Sequence, residues 1–355
     1  MTQNTPLLLT LSRINLNKVM VESIFFYSFS MGSGTQTISL HSGSKLPVVG
    51  LGTDKSKGND VAMSVNAALE CGYRHIDTAF AYKNEAEIGK VLSEWFESGR
   101  LKREDLFITT KLPTIGNRFT DVTPFINKSL DALNVQYLDM FLIHSPVGLK
   151  RMDDDALWPV DSEGNLCLDN DTNLEELWKG MEAEVIAGRT RAIGLSNYNS
   201  TQINRIMKSC SIKPAILQIE VHAYHQQPQL LKLARQLGIA VCAYAPLGAP
   251  YKQAKAIDNL TLLIHPVVVN VAKCLEKSPA QVLIRFLIQQ NITVIPMSSK
   301  PKHLSENIQV FDFELNLEQM EALTKLDKQG KGRMFSAGGS KGAIKHPEYP
   351  FNISS

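Results

Sequence analysis

The most informative stretch of the chain places an acid close to a phenol. In GYRHIDTAFAYKNE, residues 72–85, Asp77 ends a short apolar run and Tyr82 follows five residues later. Lys111 ends a second apolar run, FITTK, and His144 ends a third, MFLIH. Buried charges are costly without polar partners, so side chains of this kind at the ends of apolar runs predict one shared site.

The chemistry that these four residues suit is proton transfer to an oxygen. Tyrosine has a pKa of about 10 and is a poor proton donor at neutral pH unless a nearby cation favours its phenolate. Lys111 can be that cation, Asp77 can hold it, and His144 can donate a hydrogen bond to an oxygen in front of the phenol. No activated nucleophile of the Ser–His or Cys–His type is present in the set. It predicts general acid catalysis, with the electrons carried by a cofactor, most simply a hydride donor.

Alternating strands and helices must position these residues. From residue 46 onward, short apolar runs alternate with amphipathic segments whose apolar residues recur at spacings of three and four. The predicted strands are PVVGLGT, HIDTA, LFITTK, YLDMFLIH, TRAIGLS, AILQIEV, AVCAYA and ITVIP. Eight such units predict an α/β fold, the (β/α)8 or TIM barrel, with a doubly wound sheet as the alternative. No GxGxxG follows the first strand, which favours the barrel.

The sequence also predicts a hairpin before the barrel and caps for two helices. TISLHSGSKLPVVGLGT predicts an N-terminal β-hairpin that turns at residues 42–44 and closes the floor of the barrel. Asn84 is expected to cap the helix that begins EAEIG, and Thr172 or Asn173 to cap the helix LEELWKG.

Barrel enzymes gather their active-site residues at the C-terminal ends of the strands. Polar residues at these ends are therefore candidates for the site. They are Thr53, Asp54, Asp77, Lys111, His144, Ser196, Asn197, Gln218, Glu220, Tyr244 and Ser298.

Composition narrows the class of protein. The chain has 355 residues, of which 44% are hydrophobic and 20% charged, and a net charge of +2. This balance predicts a soluble globular protein without a nucleic-acid-binding surface, and no apolar run is long enough to span a membrane. Its five scattered cysteines form no CxxC pair and suit a reducing compartment. We expect a cytoplasmic monomer.

The first 35 residues differ in composition from the rest. Residues 1–35 are predicted to be a disordered extension or a weak targeting segment, and residues 36–355 a single barrel domain with a C-terminal substrate loop. Arg13 and Lys18 precede the first acid, so a mitochondrial presequence is the alternative to a cytoplasmic location.

From about residue 36 to about residue 352, the chain resembles the aldo-keto reductase superfamily, in particular the aldose and aldehyde reductases. Ten blocks carry the resemblance, in family order: GLGT, GYRHIDTAFAYKNE, TTKL, YLDMFLIHSP, GLSNYN, QIEVHAY, AYAPLG, VIPMSS, ENIQVFDFEL and HPEYPF. The resemblance implies a reductase that transfers a hydride from NADPH to an aldehyde or ketone. It implies that Tyr82 is the general acid, that Lys111 lowers its pKa, and that Asp77 pairs with Lys111.

The resemblance also implies binding residues. The substrate would be oriented by His144 and bordered by Ala81, Pro113 and Ser145. The cofactor would contact Thr53, Ser196, Asn197, Gln218, Tyr244, Leu247, Ser298, His303, Glu306 and Asn307.

Departures from the family pattern matter for specificity. Met297 and His303 stand where relatives that prefer NADPH carry Lys and Arg, so two cations for the adenosine 2′-phosphate are missing. We therefore expect a weaker preference for NADPH and possible use of NADH. Small residues at Ala81, Pro113 and Ser145 replace bulkier or aromatic ones, which predicts an open and less aromatic substrate pocket.

Two other functions fit parts of the sequence. A non-catalytic nicotinamide-binding module, acting as a redox sensor or partner subunit, is compatible with the weakened phosphate site. A metal-dependent barrel hydrolase could use His75, Asp77, His144 and His222, but it would leave Lys111 without a role. We expect no metal.

Overall fold

The computed structural model describes residues 36–253, 261–335 and 342–351. The prediction for residues 1–35 lies outside this part of the chain. Ten strands are present in the described residues: β1 Thr37–Ser39, β2 Lys45–Pro47, β3 Leu51–Gly52, β4 His75–Asp77, β5 Phe107–Leu112, β6 Met140–Ile143, β7 Ile193–Ser196, β8 Ile216–Glu220, β9 Ala240–Tyr244 and β10 Ile292–Val294.

Strands β3 to β10 form one parallel sheet in chain order, and this sheet closes on itself. Val49, just before β3, pairs in parallel with Val294 of β10. The Gly50 N–H donates to Val294 O at 2.8 Å, and the Val294 N–H donates to Val48 O at 2.9 Å. Closure confirms the (β/α)8 barrel and excludes the open, doubly wound sheet.

Helices surround the barrel and cover its outer face. They are α1 Gly58–Glu70, α2 Glu85–Glu97, α3 Phe119–Leu133, α4 Leu174–Ile186, α5 Ser200–Ser209, α6 Pro228–Leu237, α7 Pro250–Gln253, α8 Pro266–Leu275, α9 Pro279–Ile288, α10 Pro301–Ile308 and α11 Leu317–Thr324. Each longer helix turns an apolar face toward the strands, as Ile88, Leu92 and Trp95 of α2 do. Within the described residues, no helix is long and apolar enough to cross a membrane.

The predicted hairpin is present and lies at the floor of the barrel. Strands β1 and β2 are antiparallel, and the turn between them is held by Leu40 and Ser44, whose N–H and carbonyl groups bond at 2.8 Å. Thr37 and Lys45 of the hairpin share a surface depression with Arg74 and Phe107, at the N-terminal ends of β4 and β5. The C-terminal ends of the strands are left free for the site.

One of the two predicted helix caps is confirmed and the other is wrong. The Asn173 side chain accepts hydrogen bonds from the N–H groups of Glu175 and Glu176 at the start of α4. Asn84 occupies the N-cap position of α2 but makes no capping bond. Its amide instead donates to Thr53 O at 2.9 Å, and its side-chain oxygen accepts from the Thr78 hydroxyl at 2.8 Å. Asn84 therefore ties the loops after β3 and β4 together beside the site.

Candidate active site

The barrel brings Asp77, Tyr82, Lys111 and His144 together at its C-terminal rim. Asp77 ends β4, Lys111 is the second-last residue of β5, and His144 directly follows β6. Tyr82 ends a short 3-10 helix, Phe80–Tyr82. Asp77, Tyr82 and His144 line one cavity of about 600 Å³. Lys111 is fully buried beside them. A volume of this size is typical of small-molecule and cofactor sites.

A buried ion pair holds the lysine in place. Lys111 Nζ lies 2.5 Å from Asp77 Oδ1, 2.8 Å from Thr78 O and 3.4 Å from the Tyr82 hydroxyl. These three acceptors use all three N–H donors of the ammonium. The second oxygen of Asp77 accepts a hydrogen bond from Gln218 Nε2 at 2.7 Å. The result is an immobilised cation directly beside the phenol.

The pKa of Tyr82 depends mainly on the burial of its hydroxyl. Burial raises the pKa of Tyr82 well above its ordinary value, and the negative charge of Asp77 raises it further. That Lys111 lowers this pKa relative to a site without its cation stays a prediction, and burial and the charge of Asp77 act against it. Tyr82 is therefore fully protonated at neutral pH. Lys111 is placed to stabilise a phenolate only when the proton leaves.

His144 is a neutral hydrogen-bonding group at this site. Its ring lies edge-on to the Tyr82 ring, with centroids 5.6 Å apart. Burial, with a smaller contribution from Lys111, lowers the pKa of His144 to about 3. The imidazole is uncharged at neutral pH and keeps one N–H donor.

Amide, hydroxyl and aromatic groups form the adjoining wall of the cavity. Asn197 donates to His144 O at 2.9 Å, and its side-chain oxygen accepts from the Tyr244 hydroxyl at 2.8 Å. Asn197 adopts φ of 62°, a left-handed conformation that Asn tolerates better than most residues. Ser196 and Gln218 border the same space. This donor and acceptor set, beside a flat aromatic ring, fits a carboxamide-bearing heterocycle such as nicotinamide.

The predicted cofactor residues divide into two groups. Six of them line the cavity: Thr53, Ser196, Asn197, Gln218, Tyr244 and Leu247.

The other four cofactor residues lie outside the cavity lining, on α10 and the loop before it: Ser298, His303, Glu306 and Asn307. In this loop, Ser298 Oγ accepts from the Lys300 N–H at 3.2 Å. Asn307 is buried, whereas His303 is exposed.

The substrate side is more aromatic than the sequence suggested. Ala81, Pro113 and Ser145 line the cavity, as predicted. Aromatic surface is nevertheless present, because four aromatic residues from the segment after β6, from α7 and from the C-terminal tail also line the cavity. They are Trp158, Tyr251, Phe335 and Phe351. No periodic pattern in these segments marks the individual aromatic residues, so the sequence does not predict which of them reach the cavity.

Glu220 has a role that the sequence did not reveal. Its carboxylate accepts hydrogen bonds from the backbone N–H groups of Met334 at 2.5 Å and Phe335 at 2.8 Å. His222 Nε2 lies 2.9 Å from the same carboxylate. The Phe335 ring meets the Tyr244 ring edge-on, with centroids 5.6 Å apart. Glu220 thus fixes the tail segment against the cavity wall.

The residues of the metal-hydrolase alternative have other partners. In the described part of the chain, no three His, Cys, Asp or Glu side chains are grouped so that they could hold a metal ion. His75 packs directly against Gly50, where an added Cβ would lie 2.4 Å from His75 Nδ1. His75 Nε2 lies 3.1 Å from the Thr109 hydroxyl. His75 therefore fills space in the barrel, and Gly50 is required to make room for it.

The fold and the rim residues together define an α/β-barrel oxidoreductase. The sequence profile of the Aldo/keto reductase family matches residues 45–328. The chain is 40% identical over 334 residues to aldo-keto reductase family 1 member A1 of Gallus gallus, a match covering 91% of this chain and 99% of that protein. Identity to the Homo sapiens protein of the same name is 40% over 320 residues, covering 89% and 98%.

Solved structures give the same result. An aldose reductase from Schistosoma japonicum is 43% identical, with a TM-score of 0.82, covering 90% of this chain and 99% of that one. A Bombyx mori aldo-keto reductase in complex with NADP is 33% identical, with a TM-score of 0.81, covering 90% and 100%. The chain belongs to the aldo/keto reductase family.

Proposed function

We propose that this protein is an NADPH-dependent reductase that transfers a hydride to an aldehyde or ketone and gives an alcohol, with Tyr82 as the general acid. The observation that carries the proposal is the position of Lys111 Nζ, 2.5 Å from Asp77 Oδ1 and 3.4 Å from the Tyr82 hydroxyl. The NADP in the silkworm relative supports the choice of cofactor.

Bound NADPH would supply the hydride. Ser196, Asn197 and Gln218 would hold its carboxamide, and Tyr244 would lie against its ring. Thr53 would lie near the nicotinamide ribose, and Leu247 beside the pyrophosphate. The adenosine end would be contacted by Ser298, His303, Glu306 and Asn307.

The protein's own contribution is to handle the proton. The substrate carbonyl oxygen would accept hydrogen bonds from the Tyr82 hydroxyl and from the neutral His144 ring. As the carbonyl carbon gains the hydride, its oxygen takes the proton of Tyr82, and the alcohol forms. Lys111 then balances the charge of the Tyr82 phenolate until a proton returns from solvent. Acid catalysis of this kind contributes roughly 10²–10⁴-fold to the rate.

The test is whether the protein oxidises NADPH or NADH in the presence of a simple aromatic aldehyde. The reaction is monitored through the absorbance of the reduced nicotinamide. Turnover by the wild type and its loss in Tyr82→Phe support the proposal. Tyr137→Phe is the matched control, because Tyr137 packs between Arg103 and Arg191 at the floor of the barrel. Cofactor binding without turnover of any aldehyde would instead support the non-catalytic nicotinamide-binding module.

We also infer that the protein acts as a cytoplasmic monomer on a small-molecule carbonyl compound. All five cysteines are free, which suits a reducing compartment. Light scattering at micromolar concentration tests the monomer, and cell fractionation tests the location against a mitochondrial one.

A further inference from the structure

An acidic residue on the cavity wall takes no part in the chemistry proposed above. Asp54 follows Thr53 after β3, is partly exposed and lines the cavity. Within the described residues it makes no hydrogen bond or ion pair. The other lining carboxylate, Asp77, is neutralised by Lys111 at 2.5 Å. Asp54 is thus a negative charge without a counter-charge in the described lining.

Positive side chains lie beside the cavity and not in its described lining. The described lining residues include no Lys or Arg. Two lysines contact aromatic residues of the lining instead. Lys55 Nζ lies 3.9 Å from the centre of the Tyr251 ring, and Lys252 Nζ lies 3.5 Å from the centre of the Phe335 ring. Lys252 also donates to Met334 O at 2.9 Å. Burial and the nearby Lys55 lower the pKa of Lys252, whereas Glu220 and Asp54 act to raise it, so Lys252 offsets part of the Asp54 charge from outside the lining.

The surroundings allow the Asp54 charge to act over a distance. Trp158, Leu157 and Leu166 contribute apolar surface to the same cavity. Low-dielectric walls screen a charge less than bulk water does. Asp54 is also one of the charges that raise the pKa of Tyr82, so its field reaches the reacting phenol. A charged group on a bound substrate would lie within the same field.

We propose that Asp54 selects substrates by charge, so that the cavity accepts carbonyl compounds that carry a protonated amine and disfavours those that carry a carboxylate. This inference rests on the proposed reductase function and names its substrate class. Neutral carbonyl compounds are expected to have a kcat/KM between those of the two charged classes. A single charge that interacts with Asp54 through a partly solvated cavity changes kcat/KM by a factor of about 10.

Three matched aldehydes test the proposal. They are benzaldehydes with a para trimethylammoniomethyl, methyl or carboxymethyl group, in which a saturated carbon separates the charge from the ring, so the reactivity of the carbonyl changes little. For the wild type, kcat/KM is expected to fall from the cationic to the neutral to the anionic aldehyde. Asp54→Asn, which preserves shape, should reduce the cation-to-anion ratio about 10-fold, and Asp54→Lys should invert it.

Two controls separate a direct field effect from other causes. Glu94→Gln removes an exposed carboxylate on α2 and should leave the cation-to-anion ratio unchanged. Raising the salt concentration from about 0.02 to about 0.5 M should reduce the ratio of the wild type and leave that of Asp54→Asn nearly constant. The salt series in the wild type tests the proposal even if a variant is unstable.

The outcomes are distinguishable. A wild type that turns over the neutral aldehyde but prefers the carboxylate, or a ratio equal in wild type and Asp54→Asn, overturns charge selection alone. Absence of turnover with all three aldehydes and either cofactor overturns the proposed function and, with it, this inference.

Discussion

The two ends of the proposed cofactor cleft are built in opposite ways. At the rim, Lys111 is fully buried, and both oxygens of its partner Asp77 are bonded, one to Lys111 and one to Gln218. At α10, the Lys302 side chain is 84% exposed, and its Nζ lies 3.8 Å from Glu306. A charge that must assist a reacting atom is held rigidly in low dielectric, whereas a charge that only attracts a phosphate can stay on a flexible side chain.

This contrast explains where the sequence departs from its relatives. By the resemblance described above, all four rim residues keep the family pattern. In the structure each of them contacts at least one of the others. Met297 and His303 depart from it, and both are exposed. An exposed residue can be substituted without leaving a buried group unpaired. Substitutions at the adenosine end can therefore change the cofactor preference while the proposed proton-transfer residues stay the same.

The largest expected effect is at the phenol. Tyr82→Phe should lower kcat by roughly 10²–10⁴-fold, because it removes the only proposed proton donor and leaves the pocket shape intact. NADPH affinity, measured by quenching of protein fluorescence, should stay within about twofold, since Tyr82 is not among the proposed cofactor contacts. Tyr137→Phe should change neither quantity. Normal turnover in Tyr82→Phe would assign the proton to another group.

The second expectation concerns the buried ion pair. Lys111→Met should lower kcat and also reduce the free energy of unfolding by about 3–5 kcal/mol, because Asp77 would remain buried without its cation. Urea unfolding measures the second effect. Adding Asp77→Asn should recover part of the lost stability but not the activity.

The exposed end supplies the matched control for this ion pair. Lys302→Met should change the free energy of unfolding by less than about 1 kcal/mol, since exposed ion pairs contribute little. Equal losses of unfolding free energy in Lys111→Met and Lys302→Met would show that the buried and exposed ion pairs do not differ in their contribution to stability.

How much the sequence predicts depends on where a residue lies. Strand ends can be located from apolar runs, so the sequence predicts Asp77, Lys111 and His144 as site residues, and the number of those runs predicts the barrel. The sequence does not predict which loop and tail residues, such as Trp158 and Phe335, reach the cavity, because an irregular segment has no repeat from which the direction of a side chain follows. The effect of burial on the pKa of Tyr82 is not predicted either, because the extent of burial is not visible in a motif.

Asn84 shows the same limit for local rules. Its position before α2 satisfies the capping pattern, yet its side chain bonds to Thr53 O, Ser56 O and Thr78. The side chain of Asn84 therefore makes tertiary hydrogen bonds instead of the local capping bond. Local patterns therefore predict which element a residue borders, but not which group it contacts.

The third expectation uses a second carboxyl at the buried end. Glu85 accepts hydrogen bonds from the hydroxyls of Thr110 and Ser129, and burial raises its pKa from 4.5 to about 7. Because the folded pKa exceeds the unfolded one, Glu85 contributes stability that is fully present below about pH 4.5 and is lost as the pH rises through about 7. Glu85→Gln should remove this loss.

Urea unfolding across this pH range measures the effect. As the pH rises from about 4.5 to about 8, the unfolding free energy of Glu85→Gln should increase by about 3 kcal/mol relative to that of the wild type. Glu306→Gln is the control at the exposed end, because an exposed ion pair such as that of Glu306 with Lys302 contributes little to stability. A pH-independent difference for Glu85→Gln would show that Glu85 is ionised throughout this range in the folded protein.

The smallest expected effect lies at the adenosine end, where cofactor preference is set. We expect the wild-type NADPH to NADH preference in kcat/KM to be below about 10³-fold, a ratio that needs about 4 kcal/mol. His303→Arg should raise that preference about 10-fold, because a guanidinium remains charged and can bind a phosphate with two parallel hydrogen bonds. His41→Arg makes the same substitution at the exposed hairpin turn on the floor and should leave the preference unchanged. A wild-type preference above 10³-fold would mean that flexible groups such as Lys300 and Lys302 hold the phosphate as firmly as a fixed arginine, and that rigidity is needed only where a bond is made.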